Sequence, residues 1–236
     1  MDSGKIRLNR FLAESGVCSR READRLIEAG KVIVGDHVAK VGECVSEGDR
    51  VEYDGRVLKG MTKTVVLAFY KPRGVTTSEK DDHADRLISD YIDYPVRVTY
   101  AGRLDRDSEG LILLTNDGSL IDHMMRGANR HEKEYVVTVN GELTEEICDR
   151  LRNGIFLPEL NVKTRPCKVV IKDKHTMSVT LTQGLNRQIR RMCDQVGLKV
   201  KRLKRVRVMN ITLGNLKSGE YRELTDQEIR GLCQAK

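Results

Sequence analysis

An α+β fold in two parts is what the sequence predicts. A small module is expected over residues 1–60, and a larger domain over 63–236 built on a mainly antiparallel mixed sheet flanked by helices. Three observations carry that expectation. At 236 residues the chain suits one large domain, or a medium domain with a small module attached. The first 60 residues show helical periodicity, then short apolar pieces cut by Gly-Asp and Asp-Gly turns. Beyond them, strand-like runs follow one another as hairpin-like neighbours with few strand–helix–strand repeats, which favours antiparallel pairing.

The elements follow in order. Leu8, Phe11 and Leu12 repeat at i, i+3 and i+4, so a short helix is expected there, broken by Gly16. Ser19 stands as an N-cap with Glu22 at N3, predicting a second helix over Arg20–Ala29 that Gly30 ends. Lys31–Val34, Val38–Val41 and Arg50–Tyr53 read as strands between turns at Gly35-Asp36, Gly48-Asp49 and Asp54-Gly55. In the larger domain, strands are expected at Val65–Tyr70, Arg97–Tyr100, Leu111–Thr115, Glu134–Val139, Cys167–Lys172, Thr176–Leu181, Val206–Ile211 and Gly219–Glu223. Helices are expected at Ala84–Ile92, Ser119–Arg126, Thr144–Asn153, Asn186–Val196 and Thr225–Cys233.

Composition narrows the function. The longest apolar runs, such as Val65–Tyr70, are strand length, so no membrane span is expected. The opening Met1–Arg10 holds no apolar stretch, which makes the cytoplasm the expected compartment. Six cysteines at 18, 44, 148, 167, 193 and 233 form no CxxC pair and read as small hydrophobes in a reducing environment. Five histidines, at 37, 83, 123, 131 and 175, show no metal-ligand spacing. Nucleotide-loop, zinc-protease and nucleophile-elbow signatures are all absent, so neither a metal nor a nucleotide or redox cofactor is called for.

The net charge of +7 is local. Residues 1–60 balance 11 basic against 11 acidic side chains, although Arg7, Arg10, Arg20, Arg21 and Arg25 crowd the helical part. Residues 187–207 hold nine basic residues and one acidic residue, a net +8, leaving the rest of the chain at −1. Their basic residues lie around apolar Ile189, Met192, Val196, Leu198, Val200, Leu203 and Val206. The pattern predicts an amphipathic helix followed by a strand with one basic face, the footprint of a phosphate-backbone contact.

One acidic segment stands apart. In Ala101–Gly118 (AGRLDRDSEGLILLTNDG), Asp105 sits between Arg103 and Arg106 in a loop ahead of an apolar strand. Guanidinium groups beside an aspartate favour the carboxylate, and the flanking glycines permit close backbone approach. Such a group suits a nucleophile or base in a pocket, and equally a structural Arg–Asp network.

The string GRLDRDSEGLILLTNDG resembles the catalytic motif of RNA pseudouridine synthases of the RsuA type. Lys71-Pro72-Arg73-Gly74 resembles the first motif of that family, although Tyr70 stands where relatives more often carry Asn. His131–Val139 (HEKEYVVTV) resembles the segment carrying the active-site tyrosine, and Gln183–Met192 (QGLNRQIRRM) the segment carrying the active-site arginine. RLNRFLAESGVCSRREADRLIEAGKVIVGD is similar to the S-four-type RNA-binding module. Together these pieces span nearly the whole chain in the family's order, and the GLNRQIRRMC and HEKEY pieces are most like the large-subunit ribosomal members.

The resemblance implies an isomerase that turns a specific uridine of large-subunit (23S) ribosomal RNA into pseudouridine, without a cofactor, acting on a structured stem-loop. The oligomeric state stays open, with a monomer expected because no exposed heptad or long apolar edge argues for a stable dimer. The uridine leaves its stack for a pocket, at a cost of a few kcal/mol. Arg103 is implied to fill the vacated space, Asp105 to attack C1′ or take a proton from C2′, and Arg190 to pair with Asp105. Tyr135 is implied to stack on the flipped base. Lys71 and Arg73 are expected on phosphate, and Arg187, Arg191, Lys201, Arg202, Lys204 and Arg205 along the RNA track. In the module the candidates are Arg7, Arg10, Ser19, Arg20, Arg21 and Arg25. Asp107 and Glu109 are expected to be structural partners of arginines. A second reading is a non-catalytic RNA-binding factor of ribosome assembly, against which the joint presence of Asp105, Tyr135 and Arg190 argues.

Overall fold

The computed structural model describes residues 5–60, 63–78 and 84–234. His83 lies outside the described residues. The chain divides into two compact units. The smaller takes the chain up to Val65 together with Tyr94–Thr99 and Thr115–Gly118; the larger takes the remainder.

The smaller unit begins with β1 (Ile6–Arg7) and α1 (Leu8–Glu14), followed by α2 (Arg20–Glu28). Ser19 Oγ accepts from the Glu22 backbone N–H at 3.2 Å, the capping bond its position predicts. Then come β2 (Val32–Val34), β3 (His37–Val38), β4 (Cys44–Val45), β5 (Val51–Tyr53) and β6 (Arg56–Val57). Four of these make an antiparallel sheet in the order β3-β2-β5-β6, and β1 pairs with β4. Leu8, Leu12, Ala23 and Ile27 from the helices close on Val32, Val34, Val45 and Val51, all buried. Removing these side chains from water is the main stabilisation of so small a body, at about 25 cal/mol per Å² of apolar surface.

The larger unit runs through β7 (Val66–Lys71), a 3-10 turn at Ile88–Tyr91, β8 (Thr99–Ala101), β9 (Glu109–Thr115), α3 (Gly118–Met125) and β10 (Lys133–Val139). It continues with α4 (Glu145–Arg152), β11 (Phe156–Leu157), β12 (Val162–Lys163), β13 (Lys168–Asp173), β14 (Thr176–Leu181) and α5 (Gln188–Asp194). It ends with β15 (Val200–Val208), β16 (Ile211–Thr212), β17 (Tyr221–Glu223) and α6 (Asp226–Gln234). Among the described residues no helix is long and apolar enough to cross a membrane.

Among the described residues the central sheet has nine strands, in the order β13-β14-β10-β15-β9-β7-β17, with β16 added to β15 and β8 to β9. The pairings β13–β14, β14–β10, β10–β15 and β7–β17 are antiparallel; β9 and β15 run parallel. That parallel seam divides the hydrophobic core. On one side Val137, Met177, Val179 and Leu203 pack with Leu151, Ile189 and Met192 of α4 and α5. On the other, Leu111 and Leu113 of β9 pack with Leu120, Met124 and Leu232 of α3 and α6. Gly110 makes the seam possible. A Cβ there would stand 2.2 Å from the Arg205 carbonyl oxygen, so no larger residue fits between the two strands.

Two expected elements differ. The helix expected over Ala84–Ile92 is only the 3-10 turn Ile88–Tyr91; Leu87 before it is extended and bridges Thr76. The strand expected at Val206–Ile211 starts much earlier, at Val200, and turns back at Met209-Asn210 into β16. Its first half is the strand that the charge pattern of 187–207 predicts after the helix. Buried Leu203 and Arg205 reveal it as a central strand rather than a solvated one.

Candidate active site

A cleft of about 980 Å³ opens in the larger unit where β9 and β15 meet. Its size matches pockets that hold small organic ligands, with room for a nucleoside. Three walls form it. The first is the loop from Gly102 to Ser108, which feeds β9. Thr77 pins that loop, donating from Oγ1 to the Leu104 carbonyl at 2.8 Å and accepting from the Leu104 N–H. The Gly74 N–H donates to the Arg106 carbonyl at 2.7 Å, and the Ser108 N–H folds back on the Asp105 carbonyl. Asp105 is thus held at the cleft by backbone bonds on either side of it.

The second wall is the segment Gln183–Ile189 entering α5. Arg187 caps this helix in the left-handed region at φ +50°, a conformation that costs a side-chain-bearing residue free energy and is held by its surroundings. Its guanidinium donates to Asp107 Oδ1 and Oδ2 at 3.2 and 3.3 Å and lies 3.8 Å from Asp105 Oδ2. One turn on, Arg190 stands behind the loop. Its Nη2 meets Asp107 Oδ2 at 3.2 Å and the Asp107 carbonyl at 3.1 Å, while Nη1 donates to the Val200 carbonyl.

The third wall is the sheet itself. Lys133 and Tyr135, two apart on β10, share one face. Tyr135 is flanked by Val179 on β14 and Arg205 on β15, and Lys133 by Leu181. With Leu203 these side chains make the floor.

The charges around the cleft are unevenly compensated. Burial opposes ionisation of Asp107, but the hydrogen bond from Arg187 and the charge of Arg190 outweigh it and hold the carboxyl below its usual range. Glu109 is held low first by its hydrogen bond from Arg202, at 2.5 Å, and it also accepts from Tyr70 Oη at 2.7 Å. Burial, helped by Glu109, pushes the Tyr70 phenol up to about 12. Burial takes Lys71 down to about 8, the charges of Asp105 and Asp107 offsetting part of the effect. Burial and the neighbouring Arg205 take Lys133 down to about 8, with no carboxylate compensating. Among the described residues no group of three His, Cys, Asp or Glu side chains is arranged to hold a metal ion.

The expected site residues fall into groups. Asp105, Tyr135, Arg103, Arg73, Arg187 and Arg205 line the cleft; Arg190 stands behind it. The pairing expected between Arg190 and Asp105 is replaced by Arg190 with Asp107, and the guanidinium nearest Asp105 belongs to Arg187. Nor do the sequence neighbours pair with Asp105: Arg106 turns to Asp85 and the Gly74 carbonyl, and Arg103 is exposed. Lys71 is fully buried, donating to the Pro72 and Val75 carbonyls, so it cannot reach a phosphate. Arg205 is only 2% exposed and donates to the Leu111 and Arg103 carbonyls, which removes it from any outer RNA track.

The basic face expected for 187–207 is interrupted by carboxylates. Arg191 pairs with Glu159, Lys199 with Asp194, Arg202 with Glu109, and Arg207 with Glu132 and Glu134. Lys204 lies over the Tyr70 ring, while Lys199, Lys201 and Arg202 stay exposed. Carboxylates remote in sequence but near in space consume the local excess. In the module, Arg10 and Arg25 pair with Glu14 and Glu22, whereas Arg7, Arg20 and Arg21 are exposed without an ion pair among the described residues.

Sequence reasoning passed over Lys133, Thr77 and Met125, all of which line the cleft. Lys133 carried a readable signal, the two-residue spacing that puts it on the face of Tyr135. Thr77 and Met125 reach the cleft only through tertiary folding.

Comparison with known proteins agrees with this geometry. Residues 65–195 match the sequence profile of the RNA pseudouridylate synthase family, and residues 6–51 that of the S4 domain. The chain is 42% identical over 231 residues to the Escherichia coli (strain K12) dual-specificity RNA pseudouridine synthase RluF, covering 97% of this chain and 79% of that protein. It is 38% identical over 234 residues to the ribosomal large subunit pseudouridine synthase B of Bacillus subtilis (strain 168), covering 96% and 95%. A crystal structure of a pseudouridylate synthase superposes with a TM-score of 0.71 at 30% identity, over 96% of this chain and 99% of that one. The likeness extends through both units and the segments that build the cleft, and the chain belongs to the RNA pseudouridylate synthase family.

Proposed function

We propose that the protein converts a uridine in large-subunit ribosomal RNA to pseudouridine, with Asp105 as the catalytic carboxylate. The observation that carries this reading is the meeting of Asp105 and Tyr135, 30 residues apart in sequence, in one cleft whose acidic loop is braced by Arg187 and Arg190. The flipped nucleoside enters between the Asp105 loop and the floor. Asp105 acts at the sugar, by attack on C1′ or removal of the C2′ proton, and the N1–C1′ bond breaks with its electron pair on the uracil. The ring turns and C5 bonds to C1′ as the Asp105 carboxylate leaves C1′ in the first route, or as Asp105 returns its proton to C2′ in the second. The C5 proton is lost and N1 gains one, so the product is an isomer of the substrate and Asp105 is restored. Tyr135 stacks against the base. Arg103, exposed at the cleft rim, takes the place of the extruded uridine.

Residues 1–60 act as an RNA-anchoring module and 63–236 as the catalytic domain. Arg7, Arg20, Arg21, Arg73 and Lys201 meet phosphate, which positions the RNA without specifying its sequence. The substrate is a structured stem-loop, the enzyme acts as a monomer in the cytoplasm, and the choice of large-subunit RNA is supported by the name of the Bacillus subtilis relative. The test is to map pseudouridine across ribosomal RNA from cells with and without this protein. Loss of a discrete large-subunit position on deletion supports the reading, and unchanged maps refute it.

A further inference from the structure

Lys133 is a cation held at a cost. It lines the cleft floor between Tyr135 and the Leu181 side of β14, and among the described residues it makes no ion pair. Its charged neighbour from β15 is another cation, Arg205, whose buried Nη2 has no acceptor among the described residues. The remaining titratable groups around it are Asp105 in the loop lining the same cleft, Tyr135 on its own strand and His131 just before it; β14 presents apolar Leu181. Two neighbouring cations with an unfilled donor between apolar walls lack the anionic partner that burial of charge requires.

We infer that Lys133 is a catalytic residue that binds the carbonyl oxygens of the flipped uracil and stabilises the negative charge it carries once the N1–C1′ bond breaks. The inference rests on the isomerase reading above. The chemistry fits the position. When the bond breaks heterolytically, the pair left on N1 spreads over O2 and O4. The charge therefore develops at the ring, which stacks on Tyr135, the neighbour of Lys133 on the same strand face. Donors preorganised where charge develops act most strongly in a site with little water. The carboxylate that works on the sugar and the ammonium that receives the base occupy different walls of one cleft, matching the two ends of the breaking bond. Formation of the C5–C1′ bond returns the charge, and Lys133 is left as it began.

The ammonium form is the one required. With its pKa drawn down to about 8, Lys133 is mostly charged at pH 7 and loses its proton as pH rises through 8. The single-turnover rate of the full-length protein on a large-subunit RNA transcript is therefore expected to fall above about pH 8. Lys133→Arg, whose guanidinium stays charged, is expected to keep its rate to beyond pH 9. Lys133→Met should lose about 100-fold in rate at pH 7, the size of one lost electrostatic donor. Its RNA affinity should stay within about threefold, with an unchanged dependence on salt. Lys133→Gln, with thermal melting recorded for each variant, separates loss of rate from loss of fold.

Asp105→Ala is the control for the underlying reading. If it is inactive while Lys133→Met reacts at the wild-type rate, the inference about Lys133 fails alone. If the wild type makes no pseudouridine, the reading it rests on fails with it. A weaker affinity and shallower salt slope for Lys133→Met would make it a phosphate contact instead. An alkaline limb unchanged in Lys133→Arg would assign the titration to another group, and either result overturns the proposal.

Discussion

The module helices and the segment 187–207 make opposite use of positive charge. The module is neutral in sum, yet Arg7, Arg20 and Arg21 stand exposed without carboxylate partners among the described residues. The segment carries a net +8, yet most of its side chains are spent on Asp107, Glu109, Glu132, Glu134, Glu159 and Asp194 or on buried carbonyls. Charge available to RNA is what remains after folding has paired off the rest, and a count along the chain does not give that remainder. The module therefore keeps exposed cations without carboxylate partners among the described residues, while the segment braces a sheet seam and an acidic loop.

That contrast can be broken most severely at Arg205. Arg205→Met leaves the Leu111 and Arg103 carbonyls without their donor, and a loss of about 2–4 kcal/mol is expected in urea unfolding. If Arg205 were instead an RNA contact, stability would be unchanged and the salt slope of binding would fall. The converse pair, Arg20→Gln with Arg21→Gln, should leave stability within about 0.5 kcal/mol while flattening the slope of log affinity against log salt by roughly 1.5. An unaltered slope would show that the module's exposed cations do not meet phosphate.

The smallest expected effect separates Lys133 from both classes. Burial lowers its pKa, so the folded state disfavours the charged form, and the cost is felt in full below pH 8 and disappears as pH rises from about 8 towards the ordinary lysine value. Lys133→Met is therefore expected to melt a few degrees higher than wild type at pH 7, with the difference shrinking by pH 10. A variant that melts lower at pH 7 would mean the lysine is stabilising where it stands.

Much of this architecture could be read from the residues, and the exceptions share a cause. Ser19 with Glu22, the Leu8–Leu12 spacing and the unbroken apolar run of β9 are local signals, and each stands where expected. The loop carrying Asp105 and the strand carrying Tyr135 were legible as motifs, and both border the cleft. The partners of those residues were not legible. Arg187 reaches 80 residues back to Asp107, and Arg202 reaches 93 to Glu109, because the parallel seam of β9 and β15 brings the segments together. Pairing Asp105 with Arg190 was what the family resemblance implied; the left-handed cap at Arg187, which turns that side chain onto the acids instead, is not a property of local spacing. The same holds for Lys71, whose burial reflects the packing of β7 rather than its own polarity.

The central claim is that Asp105 performs the chemistry and does not hold the RNA. Single-turnover pseudouridine formation and RNA affinity, measured together for wild type and Asp105→Ala on the same large-subunit transcript, test it most directly. The variant is expected to lose at least about 10³-fold in rate with affinity within about threefold of wild type. Pseudouridine formed by the variant at the wild-type rate would contradict it.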